Sequence, residues 1–445
     1  MQRQGLSAFD IGCVVIGGII GVGIFFTPAK VAAAVDDETQ VIVAWSLGGL
    51  VAGLGALVFA RLARALPGHG GTFVWIARQL GPRPAFLYGW ANWLVIQAGA
   101  LGVIGIVFAD NLDVALHGAR SFADGTKVLL AVLAIAACTT VNALGLRAGS
   151  RVQNVLTITK LGAILALVLL ALFAGTSAAA PPPRAAEPPR GWFAAMAAAM
   201  LPVMFACGGW QQGAFVGGAA RNPRRDVPLG ILGGVAVVVV AYLTVNLAFL
   251  RLLGFAGAAA SPTIGADAAR AGLSAFGHGD AAARVLAAMI TISAFGIVNT
   301  ICLAPPYVLH AMSREGLFPR RLGALHERTG TPVFAVVVQG GQGVLLLLAL
   351  YFAYGGKASE VLGFLLDGVV FVDWIFYALA GIAALRLADG RSNLVAVAFT
   401  LAAATICLGA IVSNGTASLA GLVVLALGWL VHALSRRDGA PLTRA

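Results

Sequence analysis

Twelve long apolar runs follow one another along this chain, at about 8–35, 40–62, 85–109, 128–146, 152–175, 192–219, 227–252, 284–311, 332–354, 359–386, 393–413 and 416–434. A helix needs about 20 mostly apolar residues to cross the hydrocarbon core of a bilayer. There, every backbone polar group must find its partner inside the segment. A chain written this way is expected to fold as an all-α bundle of membrane-spanning helices in contact with lipid. A closed barrel would need short alternating strands, and the runs do not alternate. Only 11% of the residues are charged, against about 25% in a soluble domain. That excludes a soluble enzyme and a disordered chain. The net charge of +11 does not point to nucleic acid, because the basic residues stand between apolar runs in the pattern that orients membrane helices.

Most of the 29 lysines and arginines, among them Arg61, Arg64, Arg221, Arg224, Arg225, Arg320 and Arg321, fall on one set of loops and on the tails. The opposite loops hold fewer and carry Asp36, Asp37, Glu38, Asp110, Asp113 and Asp124. The positive-inside rule then places both termini in the cytoplasm of a cell inner (plasma) membrane, which requires an even number of spans. The first run is long and broken by glycine, so it reads as a helix and not as a cleaved leader. The Pro181–Pro183 and Pro188–Pro189 segment reads as a stiff solvated connector between runs five and six. It divides the chain into a first five-helix unit (8–175), a second (192–386) and two further helices (393–434), with no soluble domain appended. The five cysteines lie inside apolar stretches with neither metal nor redox spacing, and they read as small packing residues.

A uniformly apolar helix is a wall, and two runs are written to break. Run one contains Gly17-Gly18-Ile19-Ile20-Gly21-Val22-Gly23-Ile24-Phe25 with Pro28 after it. Run six contains Phe205-Ala206-Cys207-Gly208-Gly209-Trp210-Gln211-Gln212-Gly213 with Pro202 before it. Glycine weakens a helix and proline removes a backbone donor. Close helix packing also uses glycines. Their occurrence in the first and sixth runs, at matching places in two five-helix units, is instead the layout of an inverted repeat with a site at mid-membrane. Bare amides at a half-helix start hold an anion, and freed carbonyls hold a cation. Such a pocket suits a zwitterion, and an α-amino acid fits without any charged side chain.

Those same residues carry a family resemblance. The first-run motif with Pro28 resembles that of the amino acid–polyamine–organocation (APC) transporter superfamily. Phe205 to Trp210, followed by Arg221-Asn-Pro-Arg-Arg-Asp-Val-Pro228, is similar to the sixth helix and following loop of its L-type amino acid transporter branch, and Ser313-Arg-Glu-Gly316 with Thr331-Pro332 resembles the loop after the eighth helix in the same branch. The resemblance runs from residue 8 to about 390. It implies a LeuT-type fold of five plus five inverted helices with two more at the end. It implies that the Val22 and Gly23 amides near Gly21 hold the substrate carboxylate. The carbonyls of Ile19, Phe205 and Gly208, beside Gly209, would hold the ammonium group. Phe205 would gate the outer side, and Trp210 would line the side-chain pocket or brace the break; ordinary packing is the other reading for both rings.

Lys160, in Thr157-Ile-Thr-Lys160-Leu-Gly of run five, has apolar sequence on both sides. An intramembrane lysine is costly and marks function, unless it snorkels to the cytoplasmic face. The resemblance implies that it bridges to the broken first helix where sodium-driven relatives hold sodium, so sodium independence and no cofactor are expected. The chain departs from the branch in three ways. Val22 replaces a small hydroxylated residue. Asp373 stands where Asn is expected, with Asp367 six residues earlier; it is a proton or cation site, or it pairs with a neighbouring group. The outer loop 110–127 has no cysteine, so no covalent heavy-chain partner is expected. Asn299, Asn92 and Gln97 face the cavity or bond between helices. No nucleophile–base set and no phosphate loop are written here. The expected activity is alternating-access exchange of small or medium neutral amino acids without sodium. The alternative is proton-coupled, cationic amino acid or polyamine transport through Asp373 or Lys160.

Overall fold

The computed structural model describes residues 5–173, 191–261, 263–274, 278–413 and 415–435; for 359–370, 413, 415–417, 420 and 435 it describes the backbone alone. The described residues are almost wholly helical, with one isolated bridge, Leu6 to Ala220. Among the described residues, nine helices are long and apolar enough to cross a membrane. Three shorter apolar helices, Ala8–Ile19, Phe371–Leu385 and Gly421–Leu434, fall in the remaining expected spans. The architecture is that of a LeuT-type membrane transporter. The proline-rich connector and Asp367's side chain lie outside what is described.

Span 1 comprises Ala8–Ile19 and Thr27–Ala34 with a 3-10 turn, Val22–Phe25, between them. Ser7 caps its start: the hydroxyl accepts from Asp10 N, and Asp10 accepts from Ser7 N in return. Span 6 runs Trp192–Cys207, stops at Gly208 and resumes as Gln212–Phe215. Span 3 is one continuous rod from Pro82 to His117, but Asn92–Gln97 within it is a π segment. Span 8, Gly279–Leu303, yields to a short helix Pro306–Arg314 where Pro305 and Pro306 interrupt donation.

Span 1 packs on span 7 (Pro223–Ala260), span 5 (Leu146–Phe173) and span 8, while span 2 (Glu38–Ala65) packs on span 7 and span 3 on span 8. The two broken spans therefore sit at the centre of the bundle. Two helices between spans are too short to cross a membrane: Thr72–Leu80 after span 2, and Ile264–Ser274 after span 7. Their short apolar stripes were not legible among the long runs. On the N-terminal face, Arg61 reaches both Asp389 oxygens, at 2.6 and 2.9 Å. That guanidinium holds the Asp389 carboxyl down at about 2.

Candidate functional site

Both breaks open onto one cavity of about 160 Å³. That is small beside the roughly 300–1,000 Å³ of drug-sized pockets. Gly18, Ile19, Gly21, Val22 and Gly23 line it from span 1, and Phe205, Gly208, Gly209, Gln211 and Gln212 from span 6. Ile297 and Ile301 of span 8, Gln97 of span 3, and Asp373, Trp374 and Tyr377 of span 10 (Ala358–Leu385) also line it.

The breaks touch each other. Gly209 takes φ +117°, and a Cβ there would stand 2.4 Å from the Gly18 carbonyl oxygen. Only glycine serves this position, for its backbone angle and for the close approach alike. Val22 and Gly23 begin a 3-10 turn, so their amides have no intrahelical carbonyl to reach.

Lys160 is 2% exposed. Its ammonium donates to the Ile20 carbonyl at 2.7 Å and approaches the Ser293 carbonyl at 3.5 Å. It bridges span 5 to the end of the first half of span 1 and to span 8, two residues past Gly18. The snorkelling alternative is thereby overturned. Insertion of a lysine at mid-helix costs about 3 kcal/mol, and carbonyls freed by the break offset that cost.

Sequence reasoning missed Tyr242. Its buried hydroxyl lies 3.0 Å from the Ile19 carbonyl and 3.1 Å from that of Ala206, bridging the two breaks from span 7. A tyrosine in an apolar run reads as packing, and nothing local distinguished this one. The hydroxyl has one hydrogen to offer these two carbonyls, so the Ile19 carbonyl, expected to face a substrate ammonium, keeps at least one lone pair.

Trp210 does not line the cavity. It stacks on Tyr377 at 4.7 Å between centroids and meets Phe59, Trp374 and Phe399 edge-on. It braces the break from behind. Beside it, Tyr377 accepts from Gly209 N at 3.3 Å and donates to Gln211 Oε1. Gln211 Nε2 donates to Asp373 Oδ2 at 3.2 Å. Asp373 therefore faces the cavity, and its carboxylate takes part in none of the ion pairs found among the described residues.

Asn299 stands apart from the cavity. It accepts from Asn142 at 2.9 Å and donates to Gly149 O and Gln153 Oε1. Asn92 likewise accepts from Gln97 at 3.0 Å. Gln97 does face the cavity, where its carbonyl accepts from Gln212 at 3.3 Å. The π segment turns it there, a backbone feature with no signature in the residues.

The cavity's two ends differ. Phe205, Val22 and Ile104 form the thin partition between it and a wider cavity on the other side. Toward the N-terminal face, the loop 67–71 wedges between span 6 and the helix Pro306–Arg314. Gly70 N donates to Phe215 O at 2.9 Å, and His69 stacks on Tyr307 at 4.8 Å with His310 edge-on at 5.4 Å. Burial, with His310 adding to it, pushes the His69 imidazole down to about 4. All five cysteines are free thiols, four of them buried.

A family model described as amino acid permease matches residues 6–433. The chain is 27% identical over 373 residues to the b(0,+)-type amino acid transporter 1 of Mus musculus, covering 82% of this chain and 72% of that protein. It is 27% identical over 369 residues to the Serine/threonine exchanger SteT of Bacillus subtilis (strain 168), covering 82% and 79%. With the human Cystine/glutamate transporter it shares 26% over 372 residues, covering 82% and 70%.

Proposed function

This chain belongs to the amino acid permease family, and from that premise we propose that it exchanges one amino acid for another without sodium. The observation that carries the reading is the meeting of both breaks at one cavity, with the Lys160 ammonium on the Ile20 carbonyl. A fixed cation tied to the span-1 break does the work a bound metal ion would do there. The substrate carboxylate sits on the Val22 and Gly23 amides. Its ammonium sits against the Phe205 and Gly208 carbonyls and the remaining lone pair of Ile19. Phe205 closes over it, and one helix group rocks against the other. The name of the serine/threonine exchanger fits exchange, and that of the b(0,+)-type transporter fits amino acid transport. The small cavity favours small or medium neutral substrates.

The same reading divides the chain into units 8–175 and 192–386 with two trailing helices, 393–434. It puts both termini in the cytoplasm of a plasma membrane. It also dispenses with a disulfide-linked partner, since loop 110–127 offers no cysteine. A second reading is favoured by Asp373, whose carboxylate faces the cavity with neutral Gln211 as its bonded partner. There the substrate is cationic, or a proton travels with it.

Uptake of labelled amino acids into proteoliposomes separates these. Exchange requires amino acid loaded inside, and it is indifferent to replacing sodium by choline. Uptake into empty vesicles driven by a pH gradient would sink exchange, and a sodium requirement would sink the role given to Lys160.

A further inference from the structure

Spans 2, 5 and 7 part from one another near the face opposite the N-terminus and leave a groove of about 760 Å³. Each span lends it one stripe at helical spacing: Glu38 and Ile42, Val168 and Leu172, Leu247 and Arg251. Leu172 and Leu247 are exposed, so the groove opens sideways toward lipid. It shares no lining residue with the mid-membrane cavity.

Both of its charges stand at headgroup depth. From Pro223 to Arg251 span 7 rises about 42 Å, at about 1.5 Å a residue. A bilayer with its headgroups is roughly 40–45 Å thick. Gly254, with φ +68°, bends the helix just beyond Arg251. Glu38 begins span 2, where a membrane helix meets the headgroups. Its neighbour Asp37 is spent on capping that helix, accepting from Gln40 N at 2.8 Å. Glu38 and Arg251 take part in no ion pair and no side-chain hydrogen bond among the described residues. A carboxylate and a guanidinium thus line one groove, unpaired with each other, above an apolar floor.

That floor cannot choose its occupant, because lipid tails are as apolar as leucine. Selection falls to the two charges. An anionic headgroup gains at Arg251 and is repelled at Glu38. A headgroup with a phosphate and a primary ammonium satisfies both. The guanidinium fork matches phosphate oxygens, and an ammonium has three N–H groups to offer a carboxylate. The quaternary nitrogen of choline has none.

We propose that this groove is a binding site for a phospholipid of the ethanolamine class. Its phosphate lies on Arg251, its ammonium on Glu38, and one acyl chain runs along Ile42, Val168 and Leu247. Span 7 also carries Tyr242, whose hydroxyl bridges the two breaks, and Thr244, two residues on, lines the groove. The lipid is therefore seated against the helix that ties the breaks together. It is held whether or not the protein exchanges amino acids.

Native mass spectrometry of the delipidated full-length protein reads the site. Phosphatidylethanolamine, its mono-, di- and trimethylated forms, and phosphatidylglycerol are added one at a time, all with the same acyl chains. Affinity is expected to fall with each methyl group, about tenfold in all from ethanolamine to choline. Phosphatidylglycerol should bind more weakly than phosphatidylethanolamine. Glu38→Gln keeps the shape and should bring the ethanolamine and choline lipids within about twofold of each other. Arg251→Gln should weaken every phospholipid about tenfold, and Arg251→Lys should recover part of that loss. Equal affinity of the native protein for the ethanolamine and choline lipids overturns the proposal. So does tightest binding of phosphatidylglycerol, or a Glu38→Gln protein that discriminates as before. Retention of no lipid at all, as when the connector 174–190 fills the groove, overturns it too. Should Glu38→Gln fail to fold, the methylation series on the native protein decides.

Discussion

Span 1 and span 6 break against each other but are held by different chemistry. At span 1, side chains from other helices reach the freed carbonyls: Lys160 takes Ile20 and Tyr242 takes Ile19. At span 6 polar contacts also reach the backbone, the Tyr242 hydroxyl at the Ala206 carbonyl and Tyr377 accepting from Gly209 N, but among the described residues no charged group does. There, rings brace the gap from behind, with Trp210 packed among Tyr377, Trp374, Phe59 and Phe399. A carbonyl held by a charge can be released without unpacking a helix. A break held by four ring contacts, each worth about 1 kcal/mol, cannot. The contrast teaches that span 1 is the half whose geometry is tuned by polar groups, whereas span 6 is the anvil it works against.

The contrast can be broken most severely at the point of touch. Gly209→Ala puts a methyl group against the Gly18 carbonyl at a backbone angle that L residues resist. Exchange in proteoliposomes should fall below about 1% of native while the protein still purifies as a folded monodisperse species. Activity near native would mean that the two breaks are not in fact wedged together.

Lys160→Ala comes next. It leaves the Ile20 carbonyl without its donor in a dry interior, a loss of about 3 kcal/mol or more, and exchange should drop at least about 100-fold. If flux persists unchanged, polar tuning of span 1 is the wrong description.

Tyr242→Phe removes one hydroxyl and nothing else. With roughly 1–2 kcal/mol at stake, KM should rise about tenfold with little change in thermal stability. An effect confined to stability would make the hydroxyl a packing device. Smallest is Asp373→Asn, which keeps the shape and the Gln211 contact. KM for a neutral amino acid should move less than about threefold. A large loss limited to cationic substrates, or a loss of pH-driven uptake, would favour the second reading of the site.

What could be read in the residues follows a physical rule. Lys160 and the glycine clusters violate the grammar of an apolar span, and a violation is visible wherever it stands. Both pointed to the centre of the bundle, where the structure brings them together. Tyr242, Gln97 and Asn299 obey that grammar, so their places depend on rotation about helix axes and on a π segment, which no spacing encodes. The residues alone leave Trp210 between two roles, and only the stacking on Tyr377, 167 positions later in the chain, separates lining from bracing.

The His69 ring has a thermodynamic consequence of its own. Packed beside Tyr307 and His310, with Arg314 one turn further along, it is kept uncharged down to about pH 4. Once the loop lifts away, water would return the imidazole to its free value of about 6.5. The shut form thus has the lower affinity for hydrogen ions, and its advantage is intact above about pH 6.5 and erodes as pH falls toward 4. Acidifying the N-terminal compartment alone to pH 5.5 should tilt the balance toward the unlatched form by about tenfold, with His69→Ala abolishing the response. Hydrogen–deuterium exchange across residues 67–71 reads that tilt, and a profile indifferent to pH would refute it. A single aromatic base, tucked under a glycine strap, would make local acidity the weather that this doorway answers to.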